Sequence, residues 1–249
     1  SFSKGMEFEE LYSEDGPDDM GALNHTDCAL VFGFNPQASH PIAGVQLRRA
    51  AINGMRLITA GPCKTAPARY ADIHLRHYPG MELFVLAGLA RLLMDENQKA
   101  SETARRRSPE LKLLWEYSPD SVSRITGTPE ADLIEAARLI RNARELNILY
   151  GTGLFASPKY ADVLQAMRAL MLIKGIRPEN GGAILPAFGG GNSLGELVLG
   201  KFFDPLGQKS VFDALASGKV KALYLAVESM EDNPLEFLQQ WLERLDFVL

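Results

Sequence analysis

The sequence predicts an α/β protein, with Rossmann-like parallel sheets covered by helices on both faces. Three observations predict it. Short apolar runs alternate with helix-length segments along the chain, the pattern of parallel strands joined by crossover helices. Two of those runs stop at a glycine turn: ALVF runs into Gly33, and LNILY into Gly151. Helix-start signals recur in SPDSV at 118–122 and TPEAD at 128–132. Each places a hydroxyl as N-cap before proline at the first helical position, with acids in the first turn.

The elements follow in order. Residues 1–26 are acidic and irregular (EFEELYSEDGPDD) and read as an extended lead-in. The first strand is expected at 28–34, with Cys28 as a buried structural thiol. A polar stretch containing Ser39 and His40 follows. A helix over 42–53 sets apolar Ile42, Val45, Leu47 and Ile52 against Gln46, Arg48 and Arg49, and Gly54 stops it. MRLITA at 55–60 is the second strand, ended by Gly61-Pro62. ADIHL at 71–75 is a short third strand before the Pro79-Gly80 turn, and 81–95 is a strongly apolar helix. Residues 102–143 are helical with breaks at 118–120 and 126–129. LNILY at 146–150 is a buried strand and 160–173 a helix. Gly181-Gly182 and FGGGN at 188–192 read as loop, too glycine-rich for an element interior. A short helix at 211–217, a strand at 220–227, a helix at 234–245 and the opening of a strand at 247–249 complete the chain. The expected division is a lead-in over 1–26, a dinucleotide-binding α/β domain over 27–190, and the truncated start of a second α/β domain over 191–249. The chain thus reads as an internal fragment.

Composition bounds the function. The chain is 46% hydrophobic and 23% charged, with a formal net charge of -5. That balance argues against a nucleic-acid binder, because no excess of cations is present to neutralise phosphates. No apolar run approaches the ~20 residues of a membrane span. Two cysteines, Cys28 and Cys63, cannot alone supply a disulfide framework, an iron–sulfur cluster or a structural zinc site. Cys63 lies in a loop after a strand, without a neighbouring His or acid to make it a nucleophile.

The chemistry concentrates at the first strand end. A strand that stops at a glycine and hands over to a helix is how α/β proteins build nucleotide sites. Asn35 there either contacts a ligand or stabilises the turn. His40 is held extended before Pro41, as a surface or capping histidine or one aimed into the cleft. Lys64 is the best cation for a phosphate, or a surface lysine. His74 and His77 read as structural, since no third metal ligand is nearby. Arg105-Arg106-Arg107 reads as a solvated helix face.

Longer stretches carry a resemblance. LVFGFNPQASHP, RRAAINGMRLITAGPCKTAPARYADIHL, YPGMELFVLAGLARLLMDEN, SPDSVSRITGTPEADLIEAARLI, ILYGTG and ALYLAVESMEDNPLEFLQQWLERLDFVL occur in that order. Together they closely resemble the molybdopterin oxidoreductases of the dimethyl sulfoxide reductase superfamily, most of all formate dehydrogenase catalytic subunits. The resemblance covers nearly the whole chain. It implies the α/β domain type of those enzymes and a parent that holds molybdenum or tungsten between two pterin guanine dinucleotides. By motif, Gly33, Asn35, Pro36, Ser39 and His40 would surround the pyrophosphate and ribose. Gly61, Pro62 and Lys64 would meet the guanosine, Gly80 and Glu82 the guanine, and Gly151, Thr152 and Gly153 the pterin. The metal-ligating residue and the [4Fe-4S] cysteine motif would precede Ser1, so the isolated chain is expected to be catalytically inactive. The implied partners are the remaining domains of the parent chain and iron–sulfur electron-transfer subunits. The expected compartment is the cytoplasm, or the periplasm if an export signal lies upstream.

Two departures open an alternative. Gly61 stands where formate dehydrogenases usually carry an Asp for the ribose, and Phe188, in LPAFGGGN, where they carry an Arg beside the substrate. The alternative is a cofactor-free structural scaffold subunit of a redox complex with the same fold.

Overall fold

The computed structural model describes Leu23 and residues 26–94, 117–151, 153–154, 159–176, 182–187, 217–218, 220–223 and 247–248. The chain divides into two compact units, Glu7–Gly191 and Asn192–Leu249 with Ser1–Met6.

The larger unit is built on five parallel strands in the order β3-β2-β1-β4-β5. They are β1 (Cys28–Phe32), β2 (Arg56–Gly61), β3 (Ile73–Arg76), β4 (Leu146–Gly151) and β5 (Ile184–Ala187). The described helices of this unit are α1 (Pro36–Ser39), α2 (Pro41–Ile52), α3 (Glu82–Met94), α4 (Pro119–Thr126), α5 (Glu130–Asn142) and α6 (Tyr160–Lys174), with a 3₁₀ turn at Ala66–Arg69. In the smaller unit, β6 (Ala222–Leu223) and β7 (Phe247–Val248) pair in parallel.

Strand residues alternate between the two faces of the larger sheet. Ala29, Val31, Leu57, Leu149 and Leu185 form one buried cluster with Ala43 and Leu47 of α2. The residues between them, including Cys28, Leu30, Phe32, Ile58 and Ile148, are also fully buried. Cys28 is therefore the core thiol expected, and burial, with Asp27 and Asp72 adding, pushes its pKa up to about 12. Chain direction explains the two-sided cover. The steps β1→β2→β3 run one way across the sheet, and β4→β5 runs the other. Right-handed crossovers then place α2 and α6 on opposite faces. On the α6 side, α3 packs against α4, α5 and α6.

Polar side chains fix the strand starts. The Asp27 carboxylate accepts the backbone N–H groups of Arg144 and Glu145, both at 2.9 Å, joining β1 to β4. Asp72 accepts from Arg56 at 2.7 Å and from the Leu57 N–H at 2.8 Å, joining β2 to β3. Buried Asn147 donates to Thr26 Oγ1 and accepts from the Ala183 N–H at 2.6 Å, setting β5 against β4.

Four features differ from the sequence reading. β5 occupies ILPA, between two glycine-rich stretches read as loop, where no strand is expected; paired to β4, it is buried throughout. The expected apolar face of α2 points the other way: Ile42, Val45 and Ile52 are 77%, 51% and 70% exposed. The core is met by Ala43 and Leu47, with Ala50 and Ala51 partly buried beside them. Residues 36–39 form a short helix ahead of α2. Thr128 does not cap α5, whose N-cap is Pro129. Its hydroxyl instead donates to the Arg76 carbonyl at 2.9 Å. The Ser118 cap is as expected, accepting from the Ser121 N–H at 3.2 Å. Thr152, Phe188, the helix at 234–245 and Arg105-Arg106-Arg107 lie outside the described residues.

Candidate functional site

In an open parallel sheet, ligands bind beyond the carboxyl ends of the strands, where the strand order reverses. Here the reversal lies between β1 and β4. A cleft of about 470 Å³ opens at that edge and is lined by residues that follow four of the strands. That volume lies within the usual ~300–1,000 Å³ of small-molecule sites.

Glycines make the cleft possible on the β1–β4 side. Gly33 has φ +53°, and a side chain there would meet the Leu154 nitrogen at 3.0 Å. The Gly153 N–H donates to the Gly33 carbonyl at 3.3 Å. A Cβ on Gly153 would stand 2.9 Å from that same oxygen, and one on Gly151 would stand 2.7 Å from it. The two strand-to-glycine switches of the sequence are thus one interlocked pair of turns.

Of the residues expected at a site, Gly33, Asn35 and Ser39 line the cleft from the β1 side. Gly61 and Pro62 line it after β2, Gly80 and Glu82 after β3, and Gly153 after β4. The others stand elsewhere. Pro36 is buried against Gly44. His40 sets its ring edge-on to Phe34 at 5.8 Å between centroids. Lys64 is exposed, and Gly151 is buried at the end of β4.

The structure adds residues that the motifs passed over. His74 and His77 both line the cleft, as do Thr59, Cys63 and Thr65. His77 is 3% exposed and Glu82 8%. Three buried polar atoms of cleft-lining residues have no hydrogen-bond partner: His74 Nε2, His77 Nε2 and Glu82 Oε2. Buried polar atoms are normally paired, because leaving one unpaired costs about 1–3 kcal/mol. All three atoms belong to residues that line the cleft. The signal that would find these histidines in a sequence is positional: they close a strand whose carboxyl end lies at the ligand edge of a parallel sheet.

His74 also reports on the site's electrostatics. Its Nδ1 lies 3.0 Å from Thr59 Oγ1. Burial, aided by Lys64, His77 and Arg76, holds its pKa below the usual histidine value. The unfolded chain therefore takes up a proton below about pH 6.5, while the folded ring resists it. Stability from this group is complete above that pH and declines as pH falls toward the lowered folded value. Melting followed by circular dichroism at pH 7.5 and 5.5 should show a drop at the lower pH, and a smaller drop in His74→Gln. Equal drops in the two proteins would refute this origin.

The architecture and cleft agree with the kinship of the chain to known proteins. The family profile described as molybdopterin oxidoreductase matches residues 8–248. The chain belongs to this family. Among characterised molybdopterin oxidoreductases, formate dehydrogenase H of Escherichia coli (strain K12) is 29% identical over 186 residues, 73% of this chain and 26% of that protein. The F420-dependent formate dehydrogenase subunit alpha of Methanocaldococcus jannaschii is 28% identical over 178 residues, 70% of this chain and 26% of that protein. The chain therefore spans about a quarter of the length of these relatives. Acetylene hydratase from Pelobacter acetylenicus shares the fold, with a TM-score of 0.53 at 24% identity, over 60% of this chain and 21% of that one. No helix among the described residues is long and apolar enough to cross a membrane.

Proposed function

We propose that this chain binds the guanine nucleotide end of molybdopterin guanine dinucleotide, as the dinucleotide-binding portion of a formate dehydrogenase-like oxidoreductase. The observation that carries the reading is the cleft at the β1–β4 switch, lined by Gly33, Asn35, Ser39, Gly80, Glu82 and Gly153, positions that the resemblance assigns to the dinucleotide. Gly33 and Gly153 let backbone approach the phosphates and pterin, and Asn35 and Ser39 stand beside them. When bound, the cofactor supplies two-electron redox chemistry at its molybdenum or tungsten. This chain binds and orients one of its tails. Its metal ligand and the [4Fe-4S] cluster are proposed to lie in other parts of the parent protein, as the resemblance implies. Iron–sulfur electron-transfer subunits are the proposed partners.

The test is pterin, guanine nucleotide and metal analysis of the purified parent protein. Pterin with bound guanine nucleotide and molybdenum or tungsten supports the reading. Their absence favours the cofactor-free scaffold, the reading that Gly61 favours.

Gly61 itself gives a second expectation. A Cβ there meets nothing nearer than the Cys63 carbonyl at 3.7 Å, which is ordinary contact. Gly61→Asp should therefore fold with an unchanged melting temperature. Its carboxylate at the cleft should strengthen GMP binding about tenfold through charge-assisted bonds to the ribose hydroxyls. Calorimetric titration with GMP and 2′,3′-dideoxy-GMP checks this, since only GMP should gain.

A further inference from the structure

We infer that the exposed apolar stripe of α2 is a docking surface for the chain's own acidic lead-in, residues 7–15, which straps the helix that leads away from the cleft.

Spacing builds the stripe. Ile42, Val45, Arg49 and Ile52 recur at steps of three, four and three residues, the seam pattern of a helix that meets a partner. They lie opposite Ala43 and Leu47, which pack against the sheet. Ile42, Val45 and Ile52 are exposed, as are Arg48 and Arg49 beside them. A single exposed apolar residue is ordinary on a protein surface. Three β-branched side chains in line on one helix form a stripe instead.

Charge says what fits it. α2 reads PIAGVQLRRAAI and carries no acid. A second copy of the stripe would set arginines against arginines, so charge disfavours self-pairing. Residues 7–15 read EFEELYSED and supply the complement, with Phe8, Leu11 and Tyr12 set among acids and no base. The segment lies outside the described residues.

Position favours the same segment. Residues 7–15 and α2 belong to one compact unit, Glu7–Gly191. Leu23, the first described residue, is buried in the cluster that holds Ala43 and Leu47 of α2. The lead-in thus departs from beside the helix it would cover. The eight steps from residue 15 to residue 23 span at most about 26–29 Å. The 12 residues of α2 span about 18 Å, so the tether reaches the whole stripe. A short tether also holds a segment at an effective concentration on the order of millimolar. The strap bears on the cleft, because Ser39, three residues before Ile42, lines it.

The test uses the full chain carrying Cys63→Ser and Ser13→Cys, with a nitroxide attached at position 13. Cys28 is buried and is spared by the label. In isoleucine and valine methyl spectra, the signals of Ile42, Val45 and Ile52 should be lost. Ile125 and Ile134, exposed on α4 and α5 at the α6 side of the sheet, should keep theirs. Adding Arg48→Glu and Arg49→Glu should restore the three signals, because acids then face acids. The spectra themselves report whether each variant is folded. Signals of Ile42, Val45 and Ile52 that persist beside the nitroxide overturn the inference, and so does equal loss at all five residues. A mixture of spin-labelled chain without isotope and isotope-labelled chain without nitroxide should show no loss. Loss at the stripe in that mixture assigns it to a second copy and overturns the inference.

Discussion

Gly151→Val is expected to lower the melting temperature by about 6–12 °C and to abolish nucleotide binding. The obstacle is backbone on the β1 side of the turn. A Cβ at 151 would stand 2.7 Å from the Gly33 oxygen and 2.8 Å from Phe34 Cα, with the Phe34 ring at 3.1 Å. Side chains can rotate away from an intruder, but these atoms can move only if β1 and β4 part. Their register is fixed along five residue pairs, from Cys28↔Leu146 to Phe32↔Tyr150. Overpacking a rigid site costs up to about 3 kcal/mol, and a domain of this size loses about 2–4 °C per kcal/mol. Gly61→Ala is the control, since its Cβ meets only ordinary contact at 3.7 Å. Thermal melts of the two variants decide the matter. A Gly151→Val protein as stable as Gly61→Ala would mean that the turns are not interlocked.

The strands that the sequence revealed most clearly are those whose side chains are buried on both faces. CALVF and LNILY are continuous apolar or near-apolar runs, and all their residues are buried. β5 escaped because composition misleads there. It lies between glycine-rich stretches and contains Pro186, and its place is set by a distant clip, Asn147 to the Ala183 N–H. The face of α2 was misjudged for a related reason. The helix approaches the sheet through alanines and Leu47, whereas the larger apolar residues are exposed. Periodicity weights size, but close packing of helix on sheet favours small residues.

The site was half legible. The glycine turns and Glu82 stand out as motifs, because a strand ending in glycine has one main use in this fold class. His74 and His77 do not, because residue type alone reads them as structural, and only their place at the carboxyl end of β3 brings them to the cleft. His40 and Lys64 show the converse. Their chemistry suits an anion, yet one ring packs on Phe34 and the other side chain is exposed. Residue type and the carboxyl end of the sheet suggest candidates, and the packing of each loop sets which of them line the cleft.

Glu82→Met should separate function from stability by moving them in opposite directions. Glu82 is buried and begins α3, and its Oε2 has no partner. Methionine matches its straight chain, is a good helix former and leaves no polar atom unpaired. The change relieves an unpaired buried polar group, worth about 1–3 kcal/mol, and forfeits a favourable position for an acid at a helix N-terminus, worth about 0.3–1 kcal/mol. Relief of the unpaired carboxylate outweighs the loss at the helix start, so the variant should melt about 2–4 °C higher. GMP affinity should fall between tenfold and about a hundredfold, the value of a charged hydrogen bond of about 1.5–3 kcal/mol. Melting and titration on the same preparation check both signs. If Glu82 only supported the fold, methionine would lower stability or leave binding intact, and either result would sink its role as a ligand contact. The opposite signs are what binding sites produce, because a polar group kept short of partners in the free protein is one the ligand completes.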